Sequence, residues 1–220
     1  MKIAVGNAGF VEIMETFGND LTVVNAARVS FHKESNVLTT RDEGLIKYLA
    51  KHNHNSPFFH PQIRFRLKMP IFVAREWFRH TVGFARNEVS RRYVDEEPEI
   101  WVPVDLRKRD PNAKQGSMAE SVAHNEAARE VYEKTVRVAT ESYKILLDSG
   151  VAPEIARGIL PQAMYTEFIE TGSLAAYARL CMLRLDPHAQ KEIREFAEAV
   201  STLVAKQFPA SWSALTEPRV

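Results

Sequence analysis

From Gln62 to Met69 the chain alternates without a break, with Ile63, Phe65, Leu67 and Met69 on one side and Arg64, Arg66 and Lys68 on the other. A period of two belongs to a β-strand and not to a helix, so this segment is a strand with one buried and one wetted face. Pro70 follows at once. Proline fits the first turn of a helix, where its missing N–H costs nothing, and a helix is expected from Pro70 to about His80. Strand and helix are therefore joined without a loop, and the rest of the chain must supply partner strands and a layer over the apolar face.

The remaining pattern is mostly helical. Short β-compatible runs lie at Ile3–Val5 and Phe10–Ile13. Asp20 to Ser30 reads as a helix with Asp20 as N-cap and Leu21, Val24 and Ala27 as its apolar stripe. Thr40 and Glu43 have capping-box spacing and open a helix that ends near His52. A long helix is expected from Met118 to Leu147, stopped by Ser149-Gly150. A short one follows from Pro153 to Leu160-Pro161, another from Leu174 to Arg184, and a last long one from Pro187 to about Phe208. The stretch from Val102 to Gly116, rich in Pro, Lys, Arg and Asp, is expected to be a surface loop, mobile over about 102–118. Neither repeats nor a linker interrupt the 220 residues. The expected fold is α+β: one helix-rich domain over 1–220 with a small, mostly antiparallel sheet.

Charge and cysteine content narrow the function. Lys and Arg number 29 against 28 Asp and Glu, for a net charge of +1, which argues against a dedicated nucleic-acid coat. The single cysteine, Cys181, excludes an intramolecular disulfide and a cysteine-based zinc cluster. Between Leu180 and Met182 it reads as a small buried hydrophobe. No apolar stretch approaches the roughly 18 residues of a membrane span, and Met1 to Gly6 lacks a signal peptide's apolar region. A soluble cytoplasmic protein is expected.

The chemistry concentrates in REWFRHTVGFARNEVSRRY, Arg75 to Tyr93, which holds the five arginines Arg75, Arg79, Arg86, Arg91 and Arg92. On a helix Glu76, Arg79 and His80 share one face, opposite Ile71, Ala74 and Phe78, which read as core. Gly83 then breaks the helix, and if Asn87 to Tyr93 is extended, Glu88, Ser90 and Arg92 point the same way. Guanidinium groups beside a hydroxyl and carboxylates suit a phosphate and a polar ring. Trp77, Phe78, Phe84 and Tyr93 would tie this segment to the body; without them it would read as a solvated, ion-paired turn.

This segment resembles the signature of flavin-dependent thymidylate synthases. Here it reads Arg79-His80-Thr81, an eight-residue spacer, Ser90 and then Arg92, with Asn87-Glu88-Val89-Ser90 inside it. The family usually has Arg where Thr81 stands and a spacer one residue shorter; Arg86 is a candidate for the missing charge. Gly18-Asn19-Asp20, Ala26-Ala27-Arg28-Val29-Ser30, the turn His54-x-Ser56-Pro57-Phe58, Arg157 with Leu160-Pro161, and Leu183-Arg184 with Ala189-Gln190 resemble further family elements in the same order. The resemblance covers nearly the whole chain.

It implies an enzyme that converts dUMP to dTMP, with methylenetetrahydrofolate as carbon donor, NADPH-reduced FAD as hydride source and no protein nucleophile. It implies FAD held by Ser56, Arg79, His80, Thr81, Glu88, Ser173 and Arg179, and dUMP held by Glu76, Arg79, Glu88, Ser90, Arg91, Arg92, Arg157 and Arg184. Arg184 resembles the residue that favours ionisation of the pyrimidine. A homotetramer with sites shared between subunits is implied too. Glu76 stands where Gln is common, and Ser173 and Ala175 stand where Asn and Arg are often found.

Three other readings compete. His52, His54 and His60 cluster as zinc ligands would, yet no HExxH or cysteine partner accompanies them, and no metal is expected. Arg79, Arg86, Arg91 and Arg92, interleaved with aromatics, suit a single-stranded nucleic acid, but the near-neutral charge and the lack of a recognition motif weigh against it. A related C5 alkylation of a pyrimidine nucleotide keeps the fold and changes the product.

Overall fold

The computed structural model describes residues 1–94, 96–112 and 116–217. A five-stranded antiparallel sheet carries the molecule. In chain order its first elements are β1 (Lys2–Val5), β2 (Gly9–Phe17), α1 (Asp20–Arg28) and α2 (Thr40–Lys51). The alternating segment is β3 (Gln62–Pro70); α3 (Ile71–Trp77) and β4 (Phe84–Glu88) follow. Next come β5 (Arg107–Arg109), β6 (Ser117–Ser121), α4 (Asn125–Asp148) and α5 (Pro153–Ala156). The chain then runs through β7 (Tyr165–Ser173), α6 (Leu174–Arg184), α7 (Lys191–Gln207) and α8 (Pro209–Thr216). The main sheet is ordered β1-β2-β3-β7-β4, and β5 pairs with β6 in a separate two-stranded sheet. The expected α+β class with a small antiparallel sheet is what the chain adopts.

The alternation in β3 behaves as its pattern dictates. Ile63, Phe65, Leu67 and Met69 are all fully buried, under a layer that includes Leu174, Tyr177, Phe196 and Val200. On the other face Arg64 pairs with Glu15 at 2.9 Å and Arg66 pairs with Glu167. β3 is central because both its edges are taken, by β2 and by β7.

Several boundaries differ from expectation, each for a local reason. Asn19 caps α1, accepting from Thr22 N, and not Asp20. Asp20 is buried and caps a different helix: its carboxylate accepts from Ala210 N at 3.1 Å and Ser211 N at 2.9 Å, at the start of α8. The capping box of α2 is Thr39 with Asp42, one residue earlier than Thr40 with Glu43, because Asp42 is also held by Arg28 at 2.6 Å. α1 ends at Arg28 and a 3-10 turn completes it, while α3 stops at Trp77 and not at His80. The expected loop over 102–118 holds the β5 strand and the start of β6; its residues 113–115 lie outside the described set. The long helix consequently starts at Asn125, not Met118. The last long helix starts at Lys191, not Pro187, and α8 is an additional helix beyond it. β7 has no counterpart among the elements expected from the sequence.

Candidate active site

α3 is short because its end is pulled inward. Trp77 is fully buried and its indole Nε1 donates to both oxygens of Glu170, at 3.1 and 3.2 Å. Glu170 lies on β7, has no solvent exposure, and ion-pairs with Arg86 of β4. The Arg86 guanidinium stands 4.8 Å from the Phe84 ring centroid and 5.3 Å from that of Phe78. Burial pushes the Glu170 carboxyl above its ordinary range, opposed by Arg86 and the Trp77 N–H. Arg86 is thus committed to the interior and does not replace the charge absent at Thr81. Gly172, opposite Phe84, leaves room for that ring: a Cβ there would stand 2.5 Å from it.

Beyond Trp77 the chain turns, and three groups meet. Arg184, the last residue of α6, donates from Nε to His80 Nε2 at 2.9 Å. Its Nη2 donates to the Glu76 carbonyl at 3.3 Å, and its Nη1 lies 3.4 Å from Glu76 Oε2. The guanidinium is therefore fixed in plane by α3. To accept from Arg184, His80 Nε2 must carry no proton, so the ring is neutral with its proton on Nδ1. Its pKa is pushed down to about 4, by burial first and then by the charges of Arg184, Arg86 and Arg179. Of the expected helix face, Glu76 and His80 meet through Arg184 and Arg79 lines the cavity with Glu76, although Arg79 and His80 lie past the end of α3.

A cavity of about 970 Å³ opens beside this cluster, lined in part by Glu76, Arg79 and Arg184. Arg107 of β5 and Lys191 and Arg194 of α7 line the same cavity. The sequence reading singled out none of these three. They are remote in sequence from the motif, and only the β5–β6 pairing and the start of α7 bring them to it.

The other anticipated residues lie elsewhere. Ser56 and Thr81 are exposed. Arg179 is exposed too, donates to the Val82 carbonyl at 2.9 Å and stands 5.5 Å from the Phe59 ring centroid. Ser173 is buried, and its hydroxyl accepts from Ala176 N at 3.2 Å as the N-cap of α6. Glu88, at the far end of β4, accepts from the Thr166 hydroxyl at 2.6 Å. Past it the chain does not remain extended. Tyr93 N donates to the Ser90 carbonyl at 3.0 Å, and the Ser90 hydroxyl accepts from Arg92 Nε at 3.1 Å. Ser90 and Arg92 therefore do not share a strand face with Glu88. Tyr93, expected to anchor the segment, is 78% exposed. Arg91 donates to the Glu96 carbonyl, and Arg157 opens an exposed 3-10 turn after α5.

Two half-sites result. Arg184, His80 and Glu76 form one group, and Glu88, with Ser90 and Arg92 beyond the end of β4, forms the other. No hydrogen bond or ion pair joins them among the described residues. His52 and His54 instead pack around Tyr48, with ring centroids 4.4 and 5.9 Å from it. Cys181 is fully buried, as expected, and burial raises its thiol pKa far above normal. No helix among the described residues is long and apolar enough to cross a membrane.

The chain has well-defined relatives. A family model described as "Thymidylate synthase complementing protein" matches residues 12–210. A flavin-dependent thymidylate synthase of Thermus thermophilus is 39% identical, over 99% of this chain and 79% of that protein. One from Kosmotoga olearia is 38% identical, over 97% of this chain and 93% of its own length. Among solved structures, a UMP/dUMP methylase from Streptomyces cacaoi bound with 5-Br dUMP superposes with a TM-score of 0.86, at 33% identity and 97% coverage of both chains. With the motif order, the fold and these full-length similarities in agreement, the chain belongs to the flavin-dependent thymidylate synthase family.

Proposed function

We propose that this protein is a thymidylate synthase that methylates C5 of dUMP, taking the carbon from methylenetetrahydrofolate and using FAD reduced by NADPH. The observation that carries the reading is the fixed Arg184 guanidinium, held by neutral His80 and by Glu76 at the edge of a basic cavity. A cation beside N3 of the pyrimidine stabilises the anion that forms there, and the charge pushed onto C5 makes that carbon the nucleophile. His80 serves this step by staying uncharged: as an imidazolium it would repel Arg184 and lose its acceptor. Glu76 orients the guanidinium through its carbonyl and its carboxylate.

The residues present fit a flavin. Arg79 is exposed and has no ion-pair partner among the described residues, Thr81 and Ser56 offer exposed hydroxyls, and Arg179 lies close by; guanidinium and hydroxyl donors suit a dinucleotide's diphosphate. We assign FAD to Ser56, Arg79, His80, Thr81, Glu88 and Arg179, with Ser173 supporting them as the cap of α6. When bound, the reduced flavin supplies the hydride that completes the methyl group. Ser90, Arg91, Arg92 and Arg157 are assigned to the nucleotide together with Glu76, Arg79, Glu88 and Arg184. A site completed between subunits of a homotetramer of single-domain chains over 1–220 belongs to the same reading, and the lack of a hydrogen bond or ion pair between the two groups among the described residues is consistent with it. No protein nucleophile is needed, and the inaccessible Cys181 thiol could not serve as one. Neither nucleic acid nor membrane is a partner in this reading, which places the enzyme in the cytoplasm.

The Streptomyces cacaoi relative is named for both UMP and dUMP, which supports a second reading in which this site also methylates the ribonucleotide. Mass spectrometry of products from dUMP and UMP, offered separately to wild type and to Arg184→Ala, tests both. Methylated dUMP from wild type, with turnover reduced at least about 100-fold in the variant, is the expected result, since a lost transition-state charge contact is typically worth that much. Unmethylated dUMP in every sample would overturn the assignment, and full activity in Arg184→Ala would remove that residue from its role.

A further inference from the structure

Three further basic residues of the cavity have no part in the assignments above. Arg107, Lys191 and Arg194 line the same cavity as Arg79 and Arg184, against two acidic residues among the described ones, Glu76 and Asp110. Glu76 is already engaged with Arg184. Like charges gathered in one concave space repel one another, and low-dielectric walls strengthen that repulsion, so the arrangement favours an anion from solution.

Arg107 is positioned and not merely present. Its Nε donates to Ser117 Oγ at 2.7 Å across the β5–β6 sheet, and its Nη2 reaches Glu192 Oε1 at 2.8 Å. Glu192 is buried and receives a second hydrogen bond, from Gln190 Nε2 at 2.9 Å. Arg107 Nη1 has no protein partner among the described residues, so one edge of an anchored guanidinium remains available. Arg194 has no carboxylate partner among the described residues; its Nη1 donates to the Pro187 carbonyl at 3.3 Å. Lys191 has a single distant partner, Glu195 at 3.8 Å. Gln190 caps α7 without a side-chain hydrogen bond, because its amide is turned to Glu192, so the positive end of this 17-residue helix adds to the same basic group.

We propose that Arg107, Lys191 and Arg194 form an anion subsite that takes the dianionic end of a substrate in the Arg184 cavity. The inference rests on the thymidylate synthase reading for its two sources of such an end, the phosphate of dUMP and the glutamate carboxylates of a folate. Both present paired oxygens at the spacing a guanidinium fork and a lysine can grip together. The two-stranded sheet then has a function of its own: it carries Arg107 to the cavity.

The test is calorimetric titration of the full-length, FAD-loaded protein, as wild type and as Lys191→Gln/Arg194→Gln. These two residues lie toward solvent, and the double variant leaves Arg107, Glu192 and the Arg184 cluster untouched. Four probes are used: dUMP, deoxyuridine, tetrahydrofolate and a tetrahydropterin without the glutamate tail. The subsite predicts that the variant binds dUMP or tetrahydrofolate at least about tenfold more weakly, while the uncharged counterpart stays within about twofold. Weakening of dUMP identifies the phosphate as occupant, and weakening of tetrahydrofolate identifies the carboxylates. The proposal is overturned if all four probes bind within about twofold of wild type, or if uncharged probes weaken as much as charged ones. Binding is read without turnover, so a failed subsite and a failed methylation assay are separate results.

Discussion

Replacing Glu170 by alanine removes the acceptor on which the end of α3 is hung. Glu170 has no solvent exposure, Arg86 is only 14% exposed, and the Trp77 indole has no other acceptor among the described residues. The variant leaves a guanidinium and an N–H buried without partners. Breaking a buried pair from one side costs about 3–5 kcal/mol, and the stranded Trp77 N–H places this site toward the upper end. At about 2–4 °C per kcal/mol for a chain of this size, the melting temperature should fall by roughly 10 °C or more. Urea denaturation followed by Trp fluorescence gives the free energy independently. The informative comparison is Arg86→Met/Glu170→Leu, which removes both charges and fills the space. A buried ion pair is about as stable as its apolar replacement, so the double variant should recover most of the loss. Glu170→Ala within about 1 kcal/mol of wild type would refute the reasoning, as would a double variant no more stable than the single one.

Four further outcomes follow from the same geometry. His80 has a folded pKa near 4 against about 6.5 unfolded, so the unfolded chain takes up its proton first. Stability is therefore lost as pH falls from about 6.5 toward 4, by about 1–2 kcal/mol after discounting for solvent screening; His80→Gln should flatten that slope, and NMR titration of the ring should find a midpoint near 4. Asp20→Ala should cost about 1–2 kcal/mol by uncapping α8, with Asp20→Asn retaining most of the stability in thermal melts. Gly172→Ala should lower the melting temperature and broaden the aromatic NMR signals of Phe84, since a Cβ cannot fit beside that ring. Cys181→Ala should retain turnover, and the native thiol should react with a thiol reagent only after unfolding.

What the sequence made legible was periodic or local. The alternation in β3 fixed its buried face, the apolar run of α6 gave that helix its bounds, and the motif around Arg79 and His80 pointed to the site. β7 was not legible, because a central strand buried on one face at Phe168 and Glu170 and threaded with Thr166, Glu167 and Thr171 lacks a clean period of two. Nothing near Glu170 in sequence says that Arg86 and Trp77, more than 80 positions earlier, will neutralise and satisfy it. The cap at Asp20 was misread for a related reason: its carboxylate serves a helix that begins at Pro209. Arg107, Lys191 and Arg194 were invisible as a group because only the β5–β6 pairing and the entry into α7 bring them together. Glu88, Ser90 and Arg92 show a different limit: they stand close to His80 in sequence, yet no hydrogen bond or ion pair joins them to His80 or Arg184 among the described residues.

The central claim is that methyl transfer to dUMP by this chain depends on a flavin, and it is tested by measuring dTMP formation against FAD occupancy. Flavin-stripped protein is reconstituted in steps, with bound FAD followed by its visible absorbance, in the presence of dUMP, methylenetetrahydrofolate and NADPH. The account predicts no dTMP without flavin and a rate that rises in proportion to occupancy. An undiminished rate in the flavin-free protein, or a protein that binds no FAD at all, would contradict it.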